Sequence, residues 1–495
     1  MRFYTNVQVS GDNILIREVV NGKRKKRKEQ YNPTLYVPSS KKTQFKTLNG
    51  DYVEPIKPGS MYETREWIKS YDNVSGFEIF GQTAYQYAWI ADEFPEETVE
   101  YDIKDICTVS LDIECESERG FPSPETATER INAITIRDIQ KKQTYTFGLI
   151  KPYSSDNPES VYFQCFTEED LLTKFIDMWN IISPDIVTGW SISFFDIPYL
   201  VNRIKKLLGE DEAKRLSPWN RLREITVAFM NKDVQSYEIS GISIIDYLRI
   251  YKKYTFASRE NYQLGYITQL ELGKTKVDHT EYDSMSLFYK NDWQKFITYN
   301  IEDALLVEEL EKKLKLIDLT LMVAYQAHIN YEDVISQVRT WDTIIYNYLK
   351  RDNIVIPQKI HMSKDTQYAG AYVKEPKVGL HKWVVSFDII SLYPSIIKCL
   401  NIGTETKIND LFWGPCGPDI LLDKKESFES SLSTATNSNY TLAVNGVYYK
   451  KDRISFYSKM IEKLFNDRVE YRKKAKEAKL EMNRIDEEIK CRGVK

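Results

Sequence analysis

Hydrophobic and polar positions alternate from the first residues onward. Phe3 and the stretches 6–10 and 13–19 follow a period of two, and Asn21-Gly22 is a hairpin signal. Residues 1–105 are therefore expected to form a strand-rich N-terminal domain. From 106 the pattern changes to strands interleaved with helices. A buried-type strand over 108–114 precedes another over 133–136, an amphipathic helix over 168–181, a short strand over 185–189, and helices over about 196–208 and 289–313. This alternation predicts an α/β domain over 106–312. Residues 315–350 read as helix, with Trp341, Ile344, Ile345 and Tyr348 at helical spacing. A new strand, 383–388, opens a further segment over 359–454, in which the Ser- and Asn-rich stretch 426–439 is expected to be a loop. From 455 to 495 the pattern is one long polar helix.

Composition narrows the class. The 495 residues, 42 % of them hydrophobic and 28 % charged, are too apolar for a disordered chain and long enough for three or four domains. Six cysteines without a Cys-x-x-Cys pair, and four histidines in all, argue against a zinc site and against a disulfide framework. The N-terminus carries neither a signal peptide nor a membrane-spanning run, so an intracellular protein is expected. A net charge of −4 is at first sight unfavourable for binding nucleic acid. Charge placement outweighs the sum, because a basic channel can adjoin acidic metal sites. The densest basic run, Lys23, Arg24, Lys25, Lys26, Arg27 and Lys28, reads as a solvated hairpin tip, with phosphate binding as the alternative.

Three carboxylate constellations carry the candidate chemistry. Asp112 and Glu114 lie two apart in a strand and project to one side, among Val109, Leu111 and Ile113. Placing both acids in an apolar strand is costly unless a cation neutralises them. Asp196 follows Gly189-Trp190-Ser191 at the start of a helix, the position of an N-cap when read alone. Tyr299 and Asp303 lie four apart on a helix whose apolar stripe is Trp293, Phe296, Ile297, Ile301, Ala304 and Leu305. Each signal is weak by itself. Together, four acids and a tyrosine on one α/β domain suit a two-metal phosphodiester hydrolase, in which one Mg²⁺ activates water and the other stabilises the leaving oxygen. All-oxygen ligation matches the shortage of Cys and His.

The ordered motifs SLDIE, GWxxxxFDIPY and YNxxD resemble the 3′→5′ proofreading exonuclease of family B DNA polymerases, most specifically the replicative polymerases of T-even-type tailed bacteriophages. Ser386 to Ile397 (SFDIISLYPSII) resembles the polymerase motif A of that family, and Arg339-Thr340-Trp341-Asp342 and Gly370-Ala371-Tyr372-Val373 extend the likeness over essentially the whole chain. The resemblance implies a ribonuclease H-like exonuclease domain at 106–312, an N-terminal domain built from 1–105 and 313–358, a partial palm at 359–454 and a partial fingers helix at 455–495. It implies that Asp112, Glu114, Asp196 and Asp303 ligate the exonuclease metals and that Tyr299 assists the water. Where the family usually has Asn, Ser191 stands, so weaker contacts to the excised strand are expected. In the polymerase site, Asp388 would hold both Mg²⁺ ions (or Mn²⁺), with Ile389 adding its carbonyl. Ser391, Leu392 and Tyr393 would cradle the dNTP, Tyr393 excluding a ribose 2′-OH, and Arg468 and Arg472 would grip the triphosphate. Tyr368 and Gly370 match the DNA-contacting loop between the two sites.

Two family motifs do not occur: the Lys-x-x-x-Asn-Ser-x-Tyr-Gly helix and the Asp-Thr-Asp hairpin that supplies the second polymerase carboxylate. The thumb and the sliding-clamp-binding tail are likewise expected to lie outside these 495 residues. The chain alone is expected not to polymerise DNA, and to need a separate C-terminal polypeptide (or to be a truncation) to act on primer-template DNA. The family implies the cytoplasm of an infected bacterium, and RNA binding by the 23–28 run as an alternative function in translational repression.

Overall fold

The computed structural model describes residues 1–71, 74, 76–118, 120–229, 232–359, 373–389, 391–412 and 425–491. The chain divides into two compact units. One comprises Met1–Thr47 with Tyr52–Gln358, the other Leu48–Asp51 with Lys359–Lys495.

In the first unit, Asn21 and Gly22 both adopt positive φ, 50° and 72°, the geometry of a type I′ hairpin turn. They join Asn13–Val20 to Lys23–Gln30, and Asn13–Val20 also pairs antiparallel with Arg2–Ser10. Phe3, Tyr4, Val7, Ile14, Ile16 and Val19 are all fully buried. Tyr4 is fixed from both ends: its hydroxyl donates to the Ile329 carbonyl at 2.9 Å, and its own carbonyl accepts from the Tyr325 hydroxyl at 2.8 Å. The basic run is not a hairpin tip. It forms the edge strand of this sheet, where charged side chains discourage pairing with another chain. Two of its residues also reach across to the neighbouring α/β layer, Arg24 donating to the Ser183 carbonyl at 2.6 Å and Lys26 to the Pro218 carbonyl at 2.9 Å.

The α/β layer is a six-stranded mixed sheet. Thr108–Cys115 lies inside it, antiparallel to Ile131–Asp138 on one side and parallel to Ile186–Gly189 on the other. Gln143–Leu149 and Ser160–Cys165 extend one edge, and Ser243–Asp246 closes the other. Helices Glu168–Ile182 and Asp196–Leu208 form close to where their periodicity placed them. The helix expected over 289–313 is interrupted at Asp292, whose carboxylate caps a new helix, Trp293–Leu314, by accepting from the Lys295 N–H at 3.0 Å. The 315–350 stretch is likewise two helices, Leu316–Ala327 and Gln337–Arg351, because His328 enters the left-handed region (φ 58°) and Ser336 caps the second. That second helix buries Thr340, Thr343, Asn347 and Leu349, and leaves Trp341 exposed.

In the second unit, the strand expected over 383–388 is absent. Residues 373–389 have no regular structure, and Trp383 is 97 % exposed. A run that is apolar on both faces needs sheet neighbours to satisfy its backbone groups, and no described strand pairs with it. The unit contains a three-stranded sheet of Lys407–Phe412, Val447–Lys450 and Tyr440–Leu442, and helix Leu392–Leu400. Helix Lys425–Asn437 replaces the expected Ser/Asn loop. Its hydroxyls return to carbonyls one turn back, Thr434 to Ser430 at 3.0 Å and Thr436 to Leu432 at 2.9 Å, so these side chains do not break the helix. Phe456–Cys491 is a single 36-residue helix.

Candidate active site

The site is built at one end of the α/β sheet. Along Thr108–Cys115 the neighbours Leu111, Ile113 and Cys115 are buried, while Asp112 and Glu114 reach a partly open edge. Gly189 ends the adjacent strand at very close quarters, since a Cβ there would lie 2.5 Å from the Leu111 carbonyl oxygen. The chain then turns through Ser191 (φ 69°) into helix Asp196–Leu208. Asp196 does not act as the N-cap. Phe195 holds that position, and the Asp196 carboxylate instead accepts the Ile113 N–H at 3.1 Å, tying the helix start to the carboxylate strand. The third element, Trp293–Leu314, brings Tyr299 and Asp303 over the sheet.

Oxygens of Asp112, Glu114 and Asp303 all lie within 4.8 Å of one another. Burial pushes each of their carboxyls above the ordinary range, reinforced by the neighbouring acids at Asp112 and at Glu114, which rises to about 8, and opposed by Lys276 at Asp303. Asp196 rises to about 7, again chiefly through burial, with the Ile113 hydrogen bond opposing. Such a group of acids is stable in its charged form only beside a compensating cation. One oxygen of Asp303 is buried without a hydrogen-bond partner, which leaves its lone pairs available to a cation. Oxygen donors of this kind suit a hard divalent cation.

Lys276 supplies positive charge here and was not singled out by the sequence. It pairs with Asp303 and donates to the Tyr299 hydroxyl at 3.1 Å, and its ammonium stands 4.8 Å over the Tyr299 ring. Burial is the largest influence on Tyr299 and raises its pKa, so the phenol stays protonated at neutral pH. Asp112, Tyr299, Asp303 and Lys276 line a cleft of about 850 Å³ together with Trp190, Ser191 and Tyr262. The Trp190 indole donates to the Tyr262 carbonyl at 3.0 Å, and Lys252 lies 4.4 Å over the Tyr262 ring. No local pattern marked Lys276, which comes from a loop. Asn300 is equally unmarked, although it falls within the Tyr-Asn-x-x-Asp motif.

Among the described residues, those expected to serve polymerisation form no comparable cluster. Asp388 and Ile389 are exposed, and Asp388 joins no carboxylate group among the described residues. Ser391 precedes helix Leu392–Leu400 with φ 54°, and Tyr393 is exposed in its first turn. This helix packs on Phe456–Cys491, with Lys398 paired to Glu462 at 2.8 Å and the Ser458 hydroxyl donating to the Ile397 carbonyl at 3.3 Å. Arg468 and Arg472 are exposed one turn apart on the long helix. Tyr368 and Gly370 lie outside the described residues.

Clustered carboxylates beside an α/β sheet form the kind of site at which a divalent cation can act on a phosphodiester. Comparison with known proteins specifies the family. Residues 56–267 match the exonuclease domain of DNA polymerase family B, and 334–490 match DNA polymerase family B itself. The chain belongs to the family B DNA polymerases. It is 33 % identical over 95 % of its length to the DNA-directed DNA polymerase of Escherichia phage RB69, and 32 % identical over 95 % to that of Enterobacteria phage T4. A DNA polymerase catalytic subunit of Elephantid herpesvirus 1 is 28 % identical over 61 % of the chain. The chain spans about half the length of the phage relatives, 54 % of each. Among the described residues, no helix is long and apolar enough to cross a membrane.

Proposed function

We propose that the chain is a 3′→5′ proofreading exonuclease joined to the first part of a polymerase site, working in phage genome replication in the cytoplasm of the bacterial host. The convergence of Asp112, Glu114 and Asp303 is the observation that carries the reading. These residues, with Asp196, would hold two Mg²⁺ ions, or Mn²⁺ in their place. When bound, the metals supply a nucleophile at neutral pH and charge stabilisation at the scissile phosphate.

The chain's own residues do the rest. Tyr299, protonated and held by Lys276, orients a water with its hydroxyl. Lys276 adds positive charge beside a phosphate that becomes more negative during attack. Trp190 and Tyr262 offer ring surface to the bases of a frayed single strand, a contact that tolerates any sequence. Ser191, shorter than the usual Asn, reaches less far into the cleft.

In the second unit, Asp388 and the Ile389 carbonyl would bind metal, Ser391, Leu392 and Tyr393 the sugar and phosphates of a dNTP, and Arg468 and Arg472 its triphosphate, while Tyr368 and Gly370 would meet the DNA. The exposure of Asp388, and the length of relative left unmatched, support a polymerase site completed by residues beyond these 495, on a C-terminal polypeptide that would also carry the sliding-clamp contact. The domain limits drawn from the sequence (1–105 with 313–358, 106–312, 359–454 and 455–495) remain part of this reading. RNA binding is a second reading, favoured by the exposure of Lys23, Lys25 and Lys28 along an edge strand.

Replacing Asp112 and Glu114 together by Ala tests the nuclease. Loss of Mg²⁺-dependent degradation of single-stranded DNA, with RNA binding intact, is the expected result. Retained degradation by the double variant would remove the metal-site assignment.

A further inference from the structure

Across the face of the sheet, Asp112, Thr135 and Thr146 stand directly opposite one another on three neighbouring strands. Asn300, from the helix that crosses this face, completes a continuous chain of hydrogen bonds with them. The Thr135 and Thr146 hydroxyls lie 2.9 Å apart, the Thr135 hydroxyl donates to the Asn300 amide oxygen at 2.5 Å, and the Asn300 amide nitrogen donates to Asp112 Oδ2 at 2.7 Å. Asn300 is 0 % exposed, as are Thr135 and Thr146, so none of the three can touch DNA.

We infer that Asn300 is a positioning residue for the metal site: it holds one oxygen of Asp112 so that the other is presented to the cation shared with Glu114 and Asp303. This rests on the nuclease reading above. An amide has one donor end and one acceptor end. The Thr135 hydroxyl occupies the acceptor end, so the donor end must face Asp112. A carboxylate held this way loses rotational freedom before the cation arrives, and neighbours that orient a metal ligand commonly change metal affinity by about 10–100-fold when removed. The same arrangement keeps a buried polar chain satisfied within an apolar sheet, which is why these hydroxyls are tolerated there.

The test uses the full chain. Mn²⁺ binding is measured by titration calorimetry, alongside the Mg²⁺ dependence and DNA KM of single-strand hydrolysis. In Asn300→Ala, Mn²⁺ affinity should fall about tenfold or more, and the half-saturating Mg²⁺ concentration should rise in step, with DNA KM unchanged. Thr135→Val should shift affinity in the same direction by less, and Thr135→Ser, which restores the hydroxyl, should recover it. If Asn300→Ala does not fold, the Val–Ser pair at 135 decides: equal Mn²⁺ affinity in the two overturns the inference. Parental affinity in a folded Asn300→Ala also overturns it. The nuclease reading is checked separately by Asp303→Asn, which should weaken Mn²⁺ binding and abolish hydrolysis. An unsubstituted chain that binds no Mn²⁺ would remove both.

Discussion

The buried carboxylates make the protein's stability a function of pH, with a sign set by their environment. Glu114 and Asp196, at about 8 and about 7, bind protons in the folded chain at pH values where the unfolded chain has released them. Their contribution to folding stability in metal-free buffer should therefore be fully present below pH 4 and should be lost as pH rises through 8. Divalent cation replaces those protons as the neutralising charge, so with Mg²⁺ the decline should be much reduced. Urea denaturation at pH 6 and pH 9, with EDTA and with Mg²⁺, checks this, and an unchanged midpoint between the two pH values in EDTA would contradict it. At this scale the acids were legible because Asp and Glu in an apolar strand are expensive without a reason. Lys276 and Asn300 were not. One sits in a loop without a local pattern, and the other looks in sequence like any polar residue on a helix.

Helix Trp293–Leu314 must hold Asp303 in register with a strand nearly two hundred residues earlier in the chain. One buried ion pair helps to pin it, Arg137 on the sheet to Glu308 at 2.7 Å, both almost completely shielded from solvent. Arg137→Ala leaves the buried Glu308 charge with only the largely exposed Lys312 beside it, against a cost of about 3–5 kcal/mol for a buried charge left wholly unpaired. A lowered unfolding midpoint and weakened Mn²⁺ binding are expected together, because the displaced helix carries a ligand. Helices and strands of this domain were visible in periodicity since each buries one face. The break at Asp292 was missed because a cap is a single side chain placed against an otherwise continuous stripe. The 383–388 strand failed for a different reason: hydrophobicity predicts burial, while a strand also requires a partner.

For the molecule as a whole, the proposed catalytic roles divide unevenly. The first unit contains a carboxylate cluster suited to a metal ion, and among the described residues the second carries motif residues without such a cluster. With primed template and dNTPs, this chain should shorten primers and not extend them. Adding a polypeptide that supplies the remaining portion of the relatives' length should convert shortening into extension, read on a denaturing gel. Extension by this chain alone would contradict the division. Overall charge was the poorest guide at this scale, because a net value averages acids clustered at one site with lysines spread along an edge strand.

The long C-terminal helix has its own consequence. At 1.5 Å per residue, 36 residues extend about 54 Å, yet its buried residues are confined to Phe456, Ser458 and Met460 in the first turns. Beyond that foothold, helicity rests on backbone propensity and solvent-screened pairs such as Lys474 with Glu470 at 2.6 Å, which hold a helix only weakly. Amide deuteration should thus run as a gradient along one continuous helix, slow beside Met460 and nearly as fast as in a free peptide toward Arg484. That gradient makes the helix a built-in ruler: any molecule that lies along it would register its position, residue by residue, as a band of newly slowed exchange.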